Sequence, residues 1–416
     1  MTGLKRSWVE SANNAETDFP LNNLPYGVFS VDWQGPRCGV AIGDMILNLR
    51  KAEELGLTGT SGLLQGGDWN TFMAAGKSAW SALRARLTEL LAEGATLRDK
   101  VEPLLVPMTA AELHLPITVA EYTDFYAGRQ HAFNVGTMFR GPENALPPNW
   151  LHIPIGYNGR ASTVVVSGTD FRRPVGQLKA LDAAAPSFGP CKRLDIELEM
   201  GAIVGTGSKM GQPVSVAEAQ DMIFGYVLLN DWSARDIQAW EYQPLGPFQA
   251  KAFATSISPW IVSPEALAPF ACSTPEREQE LLPYLKDGDA GLYEIDLSVE
   301  MAAGDGAPTT ISRTSYRELY YSAAQQLAHH SSSGCAMRTG DLLGSGTISG
   351  PDPESYGSLL EITWGGQNPL KLDSGETRTF IEDGDRLTLK GHAQGEGYRV
   401  GFGECTGRIL PAPNYP

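Results

Sequence analysis

The chain has 416 residues, of which 42% are hydrophobic, and a formal net charge of −16 at pH 7. This length exceeds one average domain and the apolar content supports a substantial core, so two domains are expected, with one large β-rich domain as the alternative. An acidic surface repels phosphate groups, which argues against a nucleic-acid partner and against binding to an anionic membrane.

Cysteine usage and the start of the chain indicate the compartment. The five cysteines are an odd number and contain no CxxC pair, which predicts reduced thiols and argues against a zinc-thiolate site. No apolar run approaches the length of a membrane span, and residues 1–8 lack the apolar core of a secretory signal. We therefore expect a cytoplasmic protein.

Residues 1–116 form the first predicted domain, and residues 117–416 form the second. Short strands are predicted at Gly27–Val31 and Arg37–Ile42. Leucines and Trp80 at helical spacing then predict a helix that ends near Gly94. Three prolines between Val101 and Pro116 exclude a continuous helix, and this run is interpreted as the connection between the domains.

The second domain reads as mainly β, because short strand patterns are divided by Gly and Pro. The clearest strand candidates are Ser162–Ser167, Met222–Leu229 and Leu292–Val299. A short helix is predicted near Ala217–Asp221. A longer one is predicted over Tyr316–His330, with Ser315 and Glu318 at capping-box spacing.

An acidic strand pattern is the first sign of chemistry. In Leu194–Met200 the acids Asp195, Glu197 and Glu199 alternate with apolar residues, so a β-strand would project all three from one face. Neighbours on that face are about 7 Å apart, which suits two carboxylates gripping one hard cation. The alternative is a half-buried strand with a solvated acidic face.

Two further segments add carboxylates and donors. Asp231 ends the apolar run before it, and its role is either a ligand at the sheet edge or the N-cap of a following helix. Asp124 precedes His131 by seven residues, which places the imidazole on a predicted helix. A histidine there is either a base or a structural hydrogen-bonding group.

Several of these segments resemble the fumarylacetoacetate hydrolase family over essentially the whole chain. The stretches that carry the resemblance are Tyr122–Tyr126, Arg129–Ala132, Asn149–His152, Gly156–Tyr157, Glu197–Met200, Asn230–Gln238 and Gly346–Pro351. The resemblance implies a small SH3-like β-barrel N-terminal domain and a large C-terminal domain with a mixed β-roll core, a mainly β (α+β) fold. It also implies a homodimer that acts on a small β-diketo acid.

The resemblance further implies roles for individual residues. The implied ligands of a Ca²⁺ or Mg²⁺ ion are Asp124, Glu197, Glu199 and Asp231, with a second, structural magnesium ion near Lys251 and Thr255. The implied catalytic residues are the general base His131, its partner Glu361, and Arg235, Gln238 and Lys251, which stabilise developing negative charge. The implied substrate contacts are Tyr126, Arg140, Gln238, Tyr242 and Thr347.

The activity implied by this family is hydrolysis of a carbon–carbon bond in 4-fumarylacetoacetate, giving fumarate and acetoacetate at the end of tyrosine and phenylalanine breakdown. A second reading keeps the metal and fold but takes another substrate, as in acylpyruvate hydrolases, isomerases or decarboxylases of the same superfamily. A third is a catalytically silent metal-binding protein, which nothing in the sequence favours.

Overall fold

A computed structural model describes residues 3–32, 34–180, 182–288 and 290–414. Met1 and Thr2, part of the segment considered for a signal, lie outside the described residues. Within the described residues, no helix combines the length and apolar character needed to cross a membrane.

Strands dominate the described chain. In chain order they are β1 Tyr26–Ser30, β2 Arg37–Ile42, β3 Met45–Asn48, β4 Leu105–Pro107, β5 Glu112–His114, β6 Tyr122–Phe125, β7 Gly156–Asn158, β8 Val164–Val166, β9 Phe171–Arg172, β10 Val175–Leu178, β11 Ser187–Pro190, β12 Leu194–Asp195, β13 Leu198–Val204, β14 Ile223–Asp231, β15 Ser233–Ala234, β16 Thr255–Ile257, β17 Ala271–Cys272, β18 Leu292–Tyr293, β19 Asp296–Ala302, β20 Thr309–Ser315, β21 Leu342–Gly344, β22 Leu370–Lys371, β23 Thr377–Arg378, β24 Arg386–Gln394 and β25 Arg399–Leu410.

The α-helices are shorter and lie between the strands. They are α1 Leu49–Glu54, α2 Asn70–Met73, α3 Lys77–Leu91, α4 Arg98–Val101, α5 Arg129–Arg140, α6 Val216–Met222, α7 Arg235–Glu241, α8 Gln249–Ala252, α9 Pro264–Leu267, α10 Ala323–Ser331 and α11 Leu359–Ile362. The expectation of a strand-rich α+β fold is confirmed, with a separate N-terminal part that has its own sheet.

Three large sheets organise the described residues. The N-terminal sheet has the order β4-β3-β2-β1-β5, and a second sheet has the order β20-β19-β24-β25-β9. The central sheet runs β7-β6-β21-β13-β14-β16-β8. All residues of β13 and β14 are buried, because both strands have neighbours on each side and both of their faces are covered.

The predicted connection between domains is corrected by the structure. Within Val101–Pro116, β4 pairs with β3 and β5 pairs with β1, so both strands are edges of the N-terminal sheet. Edge strands tolerate proline because one side of the strand needs no ladder hydrogen bond. Pro107 therefore lies in an edge strand, and the segment is part of the N-terminal sheet rather than a linker.

Two other element predictions also need correction. The helix expected over Tyr316–His330 begins only at Ala323, and its capping box is formed by Ser322 and Gln325 instead of Ser315 and Glu318. The strand expected over Leu292–Val299 is broken into β18 and β19. The helix near Ala217–Asp221 is confirmed as α6.

The N-terminal sheet packs against the central sheet. Phe224 of β14 stacks on Tyr26 of β1 with ring centroids 5.1 Å apart, and it meets the edge of Trp80 at the same distance. Tyr26 and Ile261 exchange backbone hydrogen bonds of 2.9 and 2.7 Å. This apolar contact supports β14, the strand that ends at Asp231.

We expect Phe224→Ala to destabilise the protein by about 3–5 kcal/mol, since it leaves a cavity in this aromatic contact. Chemical denaturation followed by tryptophan fluorescence measures the change. Met210→Ala is the control, because Met210 is 86% exposed and its truncation should change the free energy of unfolding by less than about 0.5 kcal/mol. A loss below about 1 kcal/mol for Phe224→Ala would show that this contact does not hold the two sheets together.

Candidate active site

Four carboxylates converge on one face of the central sheet. Oxygens of Asp124, Glu197, Glu199 and Asp231 lie within 4.8 Å of one another, and all four residues are buried. Asp124 lies in β6, Glu199 in β13 and Asp231 at the end of β14, whereas Glu197 lies in the gap between β12 and β13. These four residues are called the carboxylate cluster below.

A glycine makes room for the cluster. Gly344 of β21 is paired with Asp124, and β21 lies between β6 and β13. A Cβ atom at position 344 would be 2.6 Å from Asp124 Oδ1 and 3.1 Å from Glu199 Oε2. Any larger residue would therefore push the two carboxyl groups apart.

Two cationic side chains neutralise part of the cluster. Lys251 Nζ contacts a carboxylate oxygen of Glu197 and lies 2.7 Å from Asp231 Oδ2. Arg235 Nη1 lies 2.7 Å from Glu197 Oε1. Burial opposes ionisation of Glu197, but Lys251, Arg235 and His131 outweigh that cost and lower its pKa to about 2.

Asp124 and Glu199 are less well compensated. Burial raises the pKa of both groups well above the usual carboxyl range and the neighbouring carboxylates raise it further, while the Lys251 charge counteracts only part of this. Neither forms an ion pair with any residue that the structure describes. Asp124 Oδ1 and Glu199 Oε1 are buried without a hydrogen-bond partner. Unpaired, converging carboxylate oxygens are the donor set that a divalent cation requires.

Asp231 is held by three further groups that define its role. It accepts hydrogen bonds from Tyr157 (2.8 Å) and Thr255 (2.9 Å) and pairs with Lys251. Helix α7 begins at Arg235 and is preceded by Ala234, so Asp231 is not an N-cap. No local pattern in the sequence points to Tyr157, because its position in β7 opposite Asp124 depends on a long-range strand pairing.

A histidine–glutamate pair lies beside the cluster. His131 Nδ1 is 2.6 Å from Glu361 Oε2, and His131 Nε2 is 4.0 Å from Glu197 Oε1. Burial opposes ionisation of Glu361, but the His131 charge and hydrogen bonds from His131, Asn134 and Ser358 outweigh it and lower the pKa. Because Glu361 accepts from Nδ1, the lone pair of the neutral imidazole is on Nε2, the nitrogen nearer the cluster.

Three further residues predicted from the sequence, Tyr126, Gln238 and Thr347, have the following contacts. Tyr126 packs its ring edge-on to His131, with centroids 5.4 Å apart. Gln238 accepts from Arg235 Nη1 at 3.2 Å. The Thr347 hydroxyl is buried without a partner.

Arg140 and Tyr242 are nearer the surface. The Arg140 guanidinium donates to the carbonyls of Asn144 and Ala145, and it is close enough to Tyr126 to counteract in part the burial that raises the pKa of that phenol. Tyr242 is about half exposed at the end of α7, and its hydroxyl accepts from Gln243 at 3.1 Å.

The acidic strand is only partly as expected. Strand pairing stops at Asp195 and resumes at Leu198, so the three acids do not form one row. The Asp195 carboxylate instead accepts from Arg235 and from the backbone of Leu359 and Leu360. The strict alternation of acidic and apolar residues does not indicate this break.

A buried carboxylate cluster that carries cationic donors and lies beside an oriented imidazole is typical of a metal-dependent hydrolytic enzyme. Two family models match the chain. The model described as "Fumarylacetoacetase N-terminal" matches residues 22–116, and the one described as "Fumarylacetoacetate (FAA) hydrolase C-terminal" matches residues 121–410.

Curated relatives agree over nearly the whole length. The fumarylacetoacetase of Bos taurus is 51% identical, covering 96% of this chain and 98% of the relative. The Homo sapiens enzyme is 50% identical (95% and 97%), and the Arabidopsis thaliana enzyme is 48% identical (99% of each). The chain therefore belongs to the fumarylacetoacetate hydrolase family, which confirms the resemblance seen in the sequence.

Solved structures add evidence on the fold. A fumarylacetoacetate hydrolase from Exiguobacterium antarcticum superposes with a TM-score of 0.53 at 14% identity, covering 93% of this chain and 99% of that one. A putative HpcE protein from Mycobacterium smegmatis gives the same score and coverage at 17% identity. At such identities the likeness concerns the fold alone.

The raised pKa values of Asp124 and Glu199 predict how stability depends on pH in the absence of a cation. A carboxyl group with a raised pKa binds its proton more tightly in the folded chain, so stability falls as the pH rises above the unfolded value of about 4. We expect the melting temperature in EDTA to decrease between about pH 5 and pH 8. Glu197 and Glu361 have lowered pKa values, so their ionised forms stabilise the folded protein. That stabilisation is lost only as the pH falls below about 4.

Saturating Ca²⁺ should remove this decrease, because a cation favours the ionised form, and at 100 times its Kd it adds about 2.7 kcal/mol of stability. Thermal unfolding at several pH values, in EDTA and in Ca²⁺, measures both effects. Glu199→Gln should abolish the gain from Ca²⁺. Glu53→Gln is the control, since Glu53 is buried elsewhere and should lower stability equally in both conditions. A gain from Ca²⁺ that survives in Glu199→Gln would contradict a cation site in the cluster.

Proposed function

We propose that this protein hydrolyses 4-fumarylacetoacetate to fumarate and acetoacetate, the last step of tyrosine and phenylalanine breakdown. Full-length relatives named fumarylacetoacetase support the substrate. The observation that carries the reaction is the position of His131, which is bonded to Glu361 on one side and faces the carboxylate cluster on the other.

The carboxylate cluster suits a hard divalent cation, Ca²⁺ or Mg²⁺, held by Asp124, Glu197, Glu199 and Asp231. A cation bound there would supply Lewis-acid polarisation of a substrate carbonyl. All four ligands are buried, so bulk water is excluded from the site. The low dielectric constant that results strengthens every electrostatic interaction there.

His131 acts as the general base. The Nε2 lone pair takes a proton from water, and the resulting hydroxide adds to the carbonyl carbon at the bond to be cleaved. The Glu361 carboxylate orients the imidazole through Nδ1–H and stabilises the imidazolium that forms. The carbon–carbon bond then breaks, its electron pair leaves with acetoacetate, and protonation of that carbanion completes the reaction.

Arg235, Gln238 and Lys251 stabilise the negative charge that develops on the attacked carbonyl oxygen. Arg235 Nη2 supports this role, because it is a buried donor without a partner. Tyr126, Arg140, Tyr242 and Thr347 are the proposed substrate contacts. Of these, Thr347 offers a buried hydroxyl that has no partner in the protein.

Several properties of the family extend the proposal. We propose an SH3-like N-terminal barrel, a mixed β-roll core, a homodimer and a cytoplasmic location. The ammonium group of Lys251 has no lone pair for a cation, so a second magnesium ion near Lys251 and Thr255 would need other donors from these residues.

The direct test follows the absorbance of the diketone in 4-fumarylacetoacetate on addition of purified protein. We expect loss of absorbance with fumarate and acetoacetate as products, abolition by EDTA and recovery with Ca²⁺ or Mg²⁺. His131→Ala should lower kcat by roughly 10²-fold or more while metal affinity, measured by calorimetry, is retained.

His114→Ala is the matched control, because His114 bonds to Ser30 in the N-terminal sheet and should leave kcat unchanged. No cleavage by the wild-type protein under any metal condition would reject this substrate and turn the search to acylpyruvates. Unchanged turnover in His131→Ala would reject the base.

A further inference from the structure

One buried carboxylate of the site has no part in the proposed reaction. Asp195 is 0% exposed and lies outside the carboxylate cluster. Its Oδ1 accepts from the backbone N–H groups of Ile196 (2.8 Å) and Leu359 (2.7 Å). Its Oδ2 accepts from Leu360 N–H (3.0 Å) and from Arg235 Nε (2.8 Å). Each oxygen thus receives two donors from separate parts of the chain.

The hydrogen bond to Arg235 fixes the orientation of its guanidinium group, which is proposed to stabilise the developing negative charge. Asp195 holds Nε, and Glu197 and Gln238 hold Nη1. A guanidinium is planar, so fixing two of its nitrogens also sets the direction of the third. That third nitrogen, Nη2, is the buried donor without a partner.

The two hydrogen bonds from the backbone position Glu361, the residue that orients the base His131. Leu359 and Leu360 are the first residues of α11, a single turn that carries Glu361. The first N–H groups of a helix lack partners within it, and one turn has little stability of its own. Asp195 satisfies two of these N–H groups, and Ser358 satisfies the N–H of Glu361. The Glu361 carboxylate is thereby held 2.6 Å from His131.

We propose that Asp195 is a positioning residue that locks the charge-stabilising arginine and the base-orienting glutamate into one rigid unit. The inference rests on the proposed function, because it needs Arg235 and Glu361 to serve the same reaction. All four bonds need an accepting oxygen on each side of the carboxyl group. An asparagine would place its NH₂ group either against the Leu360 N–H and Arg235 Nε–H donors or against the Ile196 and Leu359 N–H donors. In either orientation an N–H of α11 would face a donor and the helix would move.

The test is Asp195→Asn in the full-length protein loaded with Ca²⁺. We expect kcat to fall by about 10²-fold, the loss typical of a small misplacement of a catalytic group. KM should change by less than about threefold, and Ca²⁺ affinity should stay within the same range, because the cluster is untouched. A second readout is the combination with Glu361→Gln, whose loss of kcat should be well below the product of the two single losses.

Asp385→Asn is the matched control. Asp385 is 1% exposed, accepts from Arg378 Nε (2.9 Å) and Nη2 (3.0 Å), and accepts from the backbone of Glu382 (2.8 Å), all outside the site. The same chemical change should lower the melting temperature there and leave kcat within about twofold of wild type. The pair of variants thus separates positioning from general stability.

Wild-type turnover in the same assay distinguishes failure of this inference from failure of the proposed function. If the wild type cleaves the substrate and folded Asp195→Asn keeps its kcat, or loses activity through KM or Ca²⁺ affinity alone, the inference is wrong. If Asp195→Asn does not fold, the same criteria apply to Asp195→Glu, which keeps the charge but moves the carboxylate by one methylene. Full kcat in that variant would overturn the inference.

Discussion

Four carboxyl groups confined within 4.8 Å in a buried site are the constraint on which the rest of this structure depends. Buried charges of like sign are costly unless they are paired, and within the cluster Arg235 and Lys251 pair with Glu197 and Asp231 but not with Asp124 or Glu199. Asp124 and Glu199 are left with two negative charges when ionised, the charge that one divalent cation neutralises. The protein therefore holds these two groups protonated or holds them with a cation.

The central sheet provides the rigidity that this arrangement needs. Strands β13 and β14 are buried along their whole length, and the aromatic contact at Phe224 braces β14 from the side of the N-terminal sheet. Gly344 leaves the space that the carboxyl groups occupy. His131 and Glu361 lie on two helices outside the sheet. Their alignment with the cluster therefore depends on buried hydrogen bonds such as those of Asp195. Rigid strands and a few buried polar links together place the reacting groups.

Local patterns in the sequence predicted much of this, and their failures have physical causes. Alternation indicated that Glu197 and Glu199 share a site, but the interruption of pairing at Ile196 and Glu197 depends on contacts with distant segments. Two possible capping boxes lie seven residues apart: Ser315 begins a single 3₁₀ turn over Tyr316–Glu318, and Ser322 begins helix α10. The roles given to His131 and Glu361 came from family resemblance, since 230 residues separate two side chains that are in contact.

The central claim is that one cation occupies the carboxylate cluster beside His131 and Glu361. The most direct test is the anomalous diffraction of crystals grown with Ca²⁺ and soaked with acetoacetate. We expect one strong peak among the four carboxylates, about 2.3–2.6 Å from their oxygens, with the product between it and the imidazole. A cluster without a peak at saturating Ca²⁺, or product bound away from it, would contradict a catalytic cation at this site.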